Sequence, residues 1–241
     1  MIFGIICLIW ENIMKIFMKV ILLNIILVVA AFAADEKKFY ENGAIQFEYS
    51  YRSGQLHGLT KEFYETGELK GEHEYRTGKL VNKREFRRNS DLEYELKFED
   101  GQKIEYLIEY HPTGERFRQR TLINGKREGL EVEFHRNGKK KAERNYTEGQ
   151  KEGSAKGYYI NGRLQGDWLF KNGEPVSATI FYSTGEKWLV HSDFDDRGRL
   201  NGSSKEYEKS GKLKAIRYYK DNVMVQRRRV SRWLRWWWAI W

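Results

Sequence analysis

The 241-residue chain has one cysteine, two prolines and five histidines. A single thiol excludes an internal disulfide framework and any zinc site built from paired cysteines. There is no H-E-x-x-H pair and no aspartate-rich loop, so zinc and calcium sites have no supporting spacing. The phosphate-cradling G-x-x-x-x-G-K-[ST] loop is also missing. Ser154-Ala155-Lys156 has the spacing of a Ser-x-Lys dyad, but it occurs once at a strand start and reads as coincidence. The chain therefore reads as no enzyme, with no cofactor, no metal ligands and no catalytic residues.

Charge of one sign is scarce where a polyanion would need it. The net charge is +9, yet residues 34–222 carry only +3 of it, with Lys and Glu mixed throughout. A nucleic-acid surface concentrates Lys and Arg on one face, so no nucleic acid is expected on this part of the chain. The excess lies in residues 223–241, which hold Arg227, Arg228, Arg229, Arg232 and Arg235.

The sequence has 22 glycines and 36 aromatic residues. The glycines fall at 43, 54, 67 and 78, then at 101, 114, 125, 138, 149, 162, 173, 185, 198 and 211. Steps of 11 and 13 alternate, a period of 24 that marks a repeat array. Asp91 is expected to stand in for the glycine missing between 78 and 101, and Asn222 fills the last slot. Asn-Gly at 42–43, 124–125, 137–138, 161–162 and 172–173, with Asp-Gly at 100–101, predicts two-residue type I′ turns. Between turns, apolar and polar residues alternate, as at Tyr94, Leu96 and Phe98 against Glu93, Glu95 and Lys97.

Two aromatic columns follow the glycines. Phe39, Phe63, Tyr110, Phe134, Tyr158, Phe181 and Tyr207 stand four residues before the first glycine of each unit. Tyr51, Tyr75, Phe98, Tyr146, Phe170 and Tyr219 stand three before the second, with Leu122 in the same place. An echo such as Gly54-Gln-Leu-His-Gly58 follows several glycines. His111 and His135 occupy a column that holds Tyr40, Tyr64, Tyr159 and Tyr182 elsewhere, so they read as ring-sized fillers.

This Y-x-x-G-x-L-x-G-x-x-x-x-Y-x-x-G grammar resembles the bacterial variant of MORN repeats. The resemblance implies a scaffold for protein or membrane contacts, and bacterial chains of this kind include ones labelled antitoxins of the YwqK type. The unit around Asn89-Ser90-Asp91 is degenerate, and Gly185 to Gly198 is two residues longer than its counterparts. The expected fold is all-β: an elongated, twisted, single-layer antiparallel meander of about seven stacked hairpins. An outer-membrane barrel is excluded. From Glu115 to Leu122 and from Lys139 to Tyr146 both strand parities carry charge, so neither could face lipid.

Residues 1–33 have the layout of a secretory signal: Lys15 and Lys19, an uncharged run from Val20, then Ala31-Phe32-Ala33. The alternative is a membrane anchor, for which the run is short. Met14 and Met18 are both plausible starts. The expected organisation is signal 1–33, array 34–222 and tail 223–241, with an exported product in the periplasm, envelope or medium. Trp168 and Trp188, the tryptophans of the array, are candidate partner-binding residues or larger versions of the column aromatics. The tail, with Arg227, Arg228, Arg229, Arg232, Trp233, Arg235, Trp236, Trp237, Trp238 and Trp241, suits a membrane interface. It equally fits an accidental extension, or a cover for the last sheet edge. The partner expected for the array is a protein.

Overall fold

The computed structural model describes residues 33–230 together with Met14, Lys15, Met18 and Lys19. Residues 33–230 contain strands, turns and bends and no helix. The chain forms two compact units, divided between Lys97 and Phe98.

In the first unit, β1 (Ala33–Phe39), β2 (Ile45–Arg52), β3 (Gln55–Leu56), β4 (Gly58–Phe63), β5 (Leu69–Arg76), β6 (Lys79–Phe86) and β7 (Leu92–Glu99) follow in order. Each pairs antiparallel with its neighbours in a meander; β3 and β4 are one strand broken at His57, and both pair with β2. The second unit continues through β8 (Gln102–Tyr110), β9 (Arg116–Ile123), β10 (Lys126–Phe134), β11 (Lys140–Thr147), β12 (Gln150–Tyr158) and β13 (Leu164–Lys171). Then come β14 (Glu174–Phe181), β15 (Lys187–His191), β16 (Gly202–Tyr207), β17 (Leu213–Lys220) and β18 (Val223–Arg229), each antiparallel to the next.

Two kinds of turn alternate. At Asn124-Gly125, Asn172-Gly173 and Asp100-Gly101 both residues have positive φ, the type I′ geometry that the sequence predicts. The Asn-Gly pairs at 42–43, 137–138 and 161–162 differ from that expectation. Only their glycines are left-handed. Gly43 N–H donates to Tyr40 C=O at 3.0 Å and Tyr40 N–H to Ala44 C=O at 2.8 Å, which makes a three-residue loop closed by one left-handed residue. The asparagine serves by its side chain instead, since Asn42 Oδ1 accepts from Ala44 N–H at 2.9 Å. Each such turn brings a β-bulge at the column aromatic, as where Lys38 pairs with Phe47 but Phe39 with Ile45.

The same loop recurs at Tyr64, Arg87, His111, His135, Tyr159, Tyr182, Asp195 and Glu208, nine in all with Tyr40 among the described residues. The degenerate unit is thus complete. Its left-handed residue is Ser90 (φ 66°), not Asp91, and Ser90 N–H donates to Arg87 C=O. Phe86, four residues before Ser90, therefore joins the first aromatic column. Asn222 has φ 69° and fills the slot expected of it.

Adjacent loops are hooked together by the tyrosine column. Tyr40 Oη donates to Phe63 C=O at 2.8 Å and Tyr64 Oη to Phe86 C=O at 2.9 Å. Tyr159 Oη donates to Phe181 C=O and Tyr182 Oη to Tyr207 C=O. His135 makes the same bond with Nε2, 3.0 Å from Tyr158 C=O, which fixes the proton on that nitrogen. His111 instead packs its ring edge against Phe117, centroids 5.1 Å apart. Each hook gives the carbonyl of a column residue a side-chain partner from the preceding loop.

Candidate functional site

In the second unit, the register places two rows of side chains next to each other on one face. One row crosses from Arg144 through Ala155, Trp168, Ala178, His191 and Ser204 to Arg217 and Arg227. Its neighbour runs through Ala142, Gly157, Gly166, Ile180, Leu189, Glu206 and Ala215. Ala142, Ala155, Ala178 and Ala215 are all buried. One large ring lies among these small residues.

That ring is Trp168. An added Cβ on Gly166 would meet its Cζ3 and Cζ2 at 2.5 and 2.8 Å, and one on Gly157 would meet Cζ3 at 3.3 Å. The benzo ring therefore lies flat over the backbone of β12 and β13, and only glycine allows that approach. Trp168 is half-buried. Ring stacking and cation contacts elsewhere in the unit go to other aromatics, so its outward face has neither partner among the described residues.

Trp188, the other sequence candidate, is engaged within the chain. Its ring tilts against Tyr182 at 5.8 Å, and the Arg217 guanidinium sits 5.5 Å from its centroid. The structure does not bring the two tryptophans into one aromatic patch. The row between them carries His191, whose Nδ1 is 2.6 Å from Ser204 Oγ. Burial pushes the His191 pKa below its usual value, and Arg217 adds to the shift. A serine–histidine pair suggests nucleophilic chemistry, but Ser204 is 1% exposed and no substrate reaches its hydroxyl. Among the described residues no carboxylate bonds the histidine, which instead packs edge-on against Tyr219 and Phe194.

The row ends in an acid–base cluster. Glu206, 2% exposed, takes Arg227 Nε at 2.8 Å and Nη2 at 2.9 Å, and Arg217 Nε at 2.8 Å. Lys214 Nζ stands 3.6 Å away. The bonds from Arg227 and then Arg217 hold the Glu206 pKa down to about 2, against the opposing effect of burial. Three cations exceed the one charge they surround, so the carboxylate stays ionised.

Residues Ser192–Asn201 account for the two extra residues after Gly185. Asp193 accepts from Ser203 N–H at 2.7 Å and from Ser203 Oγ at 2.9 Å. Asp195 accepts from the amides of Arg197 and Arg199 and from Arg199 Nε and Asn201 Nδ2. A three-residue loop replaces the usual type I′ turn here. Arg199 fills the place a cation would need, and no His/Cys/Asp/Glu group among the described residues could hold a metal. Ser154 Oγ donates to Asp167 at 3.3 Å rather than to Lys156.

Arg227, Arg228 and Arg229 belong to β18, so strand pairing continues seven residues past Asn222. Arg227 is committed to Glu206, Arg228 lies over the Tyr218 ring at 5.9 Å and Arg229 is exposed. Arg232, Trp233, Arg235, Trp236, Trp237, Trp238 and Trp241, and all but a few residues of the signal segment, lie outside the described residues. Among the described residues no helix is long and apolar enough to cross a membrane.

Residues 34–53, 56–77, 127–148 and 200–221 match the family described as MORN repeat variant. Four segments of the chain are thus similar to MORN repeat variants. Each matched segment spans one three-residue loop with flanking strand, around Gly43, Gly67, Gly138 and Gly211. The loops at Arg87, His111, Tyr159, Tyr182 and Asp195 lie outside the matched segments and share the same hydrogen-bond pattern. No curated protein matches the chain. Among solved structures, TarM is 12% identical over 64% of this chain and 24% of its own, with a TM-score of 0.22. The TcdB2-TccC3-TEV structure is 13% identical over 78% of this chain and 12% of its own, with a TM-score of 0.21. The chain spans about a quarter of TarM and less of the other, and at these scores neither likeness supports a functional argument.

Proposed function

We propose that this MORN-repeat chain is an exported, non-enzymatic scaffold that binds a protein partner on the Trp168 face of its second unit. The observation that carries the reading is the pose of Trp168, laid flat on Gly157 and Gly166 with its outer ring face unpartnered. A large rigid ring on a floor of small residues offers apolar area at little entropic cost, which is why Trp is enriched at binding hot spots. The buried Ser204 and the salt-bridged Glu206 support a structural rather than a catalytic use of the polar residues nearby. Export rests on the signal layout of residues 1–33. A toxin in the partner's place would make the chain an antitoxin, and export would give it the form of an immunity protein. A membrane-surface role would fall to residues 231–241, since β18 belongs to the sheet.

The test is affinity capture from the native envelope and medium with the wild-type chain, Trp168→Ala and Trp188→Ala, each checked for native circular dichroism. The expected result is a partner retained by the wild type and Trp188→Ala and lost with Trp168→Ala. Identical capture by all three folded chains would refute the reading.

A further inference from the structure

The two terminal strands of the array are protected very differently. β1 presents Asp35, Glu36, Lys37 and Lys38 in succession, so both of its faces are charged along the middle of the strand. Such charge discourages a further strand from pairing. β18 pairs with β17 along one edge, and among the described residues no strand pairs with its other edge. Its first half is apolar and open, with Val223 63%, Met224 47% and Val225 62% exposed. Its second half is wholly cationic: Arg227, Arg228 and Arg229.

We propose that the outer edge of β18 is an acceptor for an acidic extended peptide segment, which adds to the sheet as a further strand. The backbone N–H and C=O groups on that edge would supply the affinity, as in other β-strand additions. The side chains set the choice of partner. Carboxylates would meet Arg228 and Arg229, both exposed, while apolar residues would cover Val223 and Val225. Arg227 contributes position rather than charge, because Glu206 already neutralises it through two hydrogen bonds at 2.8 and 2.9 Å. That anchor, with the Arg228 contact to the Tyr218 ring, holds the edge straight before a partner arrives.

The same charges favour an acidic strand over a second copy of this chain. Two β18 edges paired antiparallel about a two-fold axis through Gln226 would set Val225 opposite Arg227. Arg228 and Arg229 of each copy would then face Met224 and Val223 of the other and gain no carboxylate partner. An acidic strand supplies one. These residues are separate from the Trp168 ring, so the inference does not depend on that reading.

The experiment uses the full chain and three seven-residue probes of the same Val/Thr-rich body: one ending in three glutamates, one in three lysines, and one acidic with a central proline. Binding is read by fluorescence anisotropy, and the site by hydrogen exchange. The acidic probe should bind at least tenfold more tightly than the lysine or proline probe and should slow exchange at Val223–Arg229. Arg228→Glu/Arg229→Glu should weaken the acidic probe at least tenfold and favour the lysine probe, a swap that misfolding cannot produce. Equal binding of acidic and basic probes, or protection that arises away from β18, would overturn the proposal. So would binding that appears only after residues 231–241 are removed, since the chain itself would then be the occupant.

Discussion

Gly166→Ala isolates the contact on which the candidate site depends. Gly166 lies in regular extended backbone, with no left-handed φ, so the added methyl costs nothing in backbone strain. Its whole effect is steric. The new Cβ would fall closest to Cη2 of Trp168, with Cζ3 and Cζ2 at 2.5 and 2.8 Å, where carbon atoms normally keep about 3.5–4.0 Å. The indole must rise by about 1.5 Å to regain normal contact or swing off the sheet, and overpacking of this kind costs about 1–3 kcal/mol. Gly157→Ala, whose Cβ would be 3.3 Å from the same ring, needs a few tenths of an ångström and should cost less than about 1 kcal/mol. In a Trp168→Ala background the Gly166→Ala penalty should fall sharply, because the three atoms nearest the new methyl all belong to the Trp168 ring. Urea unfolding of the four chains followed by far-ultraviolet circular dichroism gives the coupling energy, expected at about 1–3 kcal/mol. Additive costs, within about 0.5 kcal/mol, would show that the ring does not rest on Gly166 and would remove the basis of the site.

Three further outcomes follow from the described geometry. Tyr64→Phe deletes the hydroxyl that donates to Phe86 C=O and should cost about 1 kcal/mol, with faster hydrogen exchange around Arg87–Asp91; unchanged exchange would contradict the hook. Ser90→Gly relieves a left-handed serine at φ 66° and should raise stability by about 1 kcal/mol in urea unfolding, whereas destabilisation would contradict the turn assignment. Glu206, held near 2 from an ordinary value of 4.5, contributes stability that is complete above about 4.5 and is lost as pH falls through about 2. An acid unfolding curve should therefore flatten in that window for Glu206→Gln; an unaltered curve would contradict the cluster.

Much of this fold is legible in the sequence because glycine marks turns and rings mark columns. The legible part fails where another residue does glycine's work. Ser90 takes the left-handed slot with nothing in its identity to announce it, and Phe86 then drops out of its column. Turn type is hidden for a related reason: Asn-Gly suits a two-residue loop by its φ angles and a three-residue loop by its side-chain acceptor, and only the bulge decides between them. Glu206 and Arg227 look like any solvated pair in a Lys/Glu-rich array until the register sets Glu206, Ala215 and Arg217 beside β18. Trp168 shows the same limit. Its identity is visible, but its pose depends on Gly157 facing Gly166 across a turn, a pairing set by the bulge at Tyr158.

A partner docked on the face bearing Trp168 would touch only one of two adjacent β13 residues, because they point to opposite sides of the sheet. A benzophenone side chain would be installed in place of Trp168 in one chain and of Leu169, 48% exposed, in another. Irradiation in the native envelope should give a crosslinked partner from position 168 and none from position 169. Crosslinking from position 169 alone, or equally from both, would contradict it.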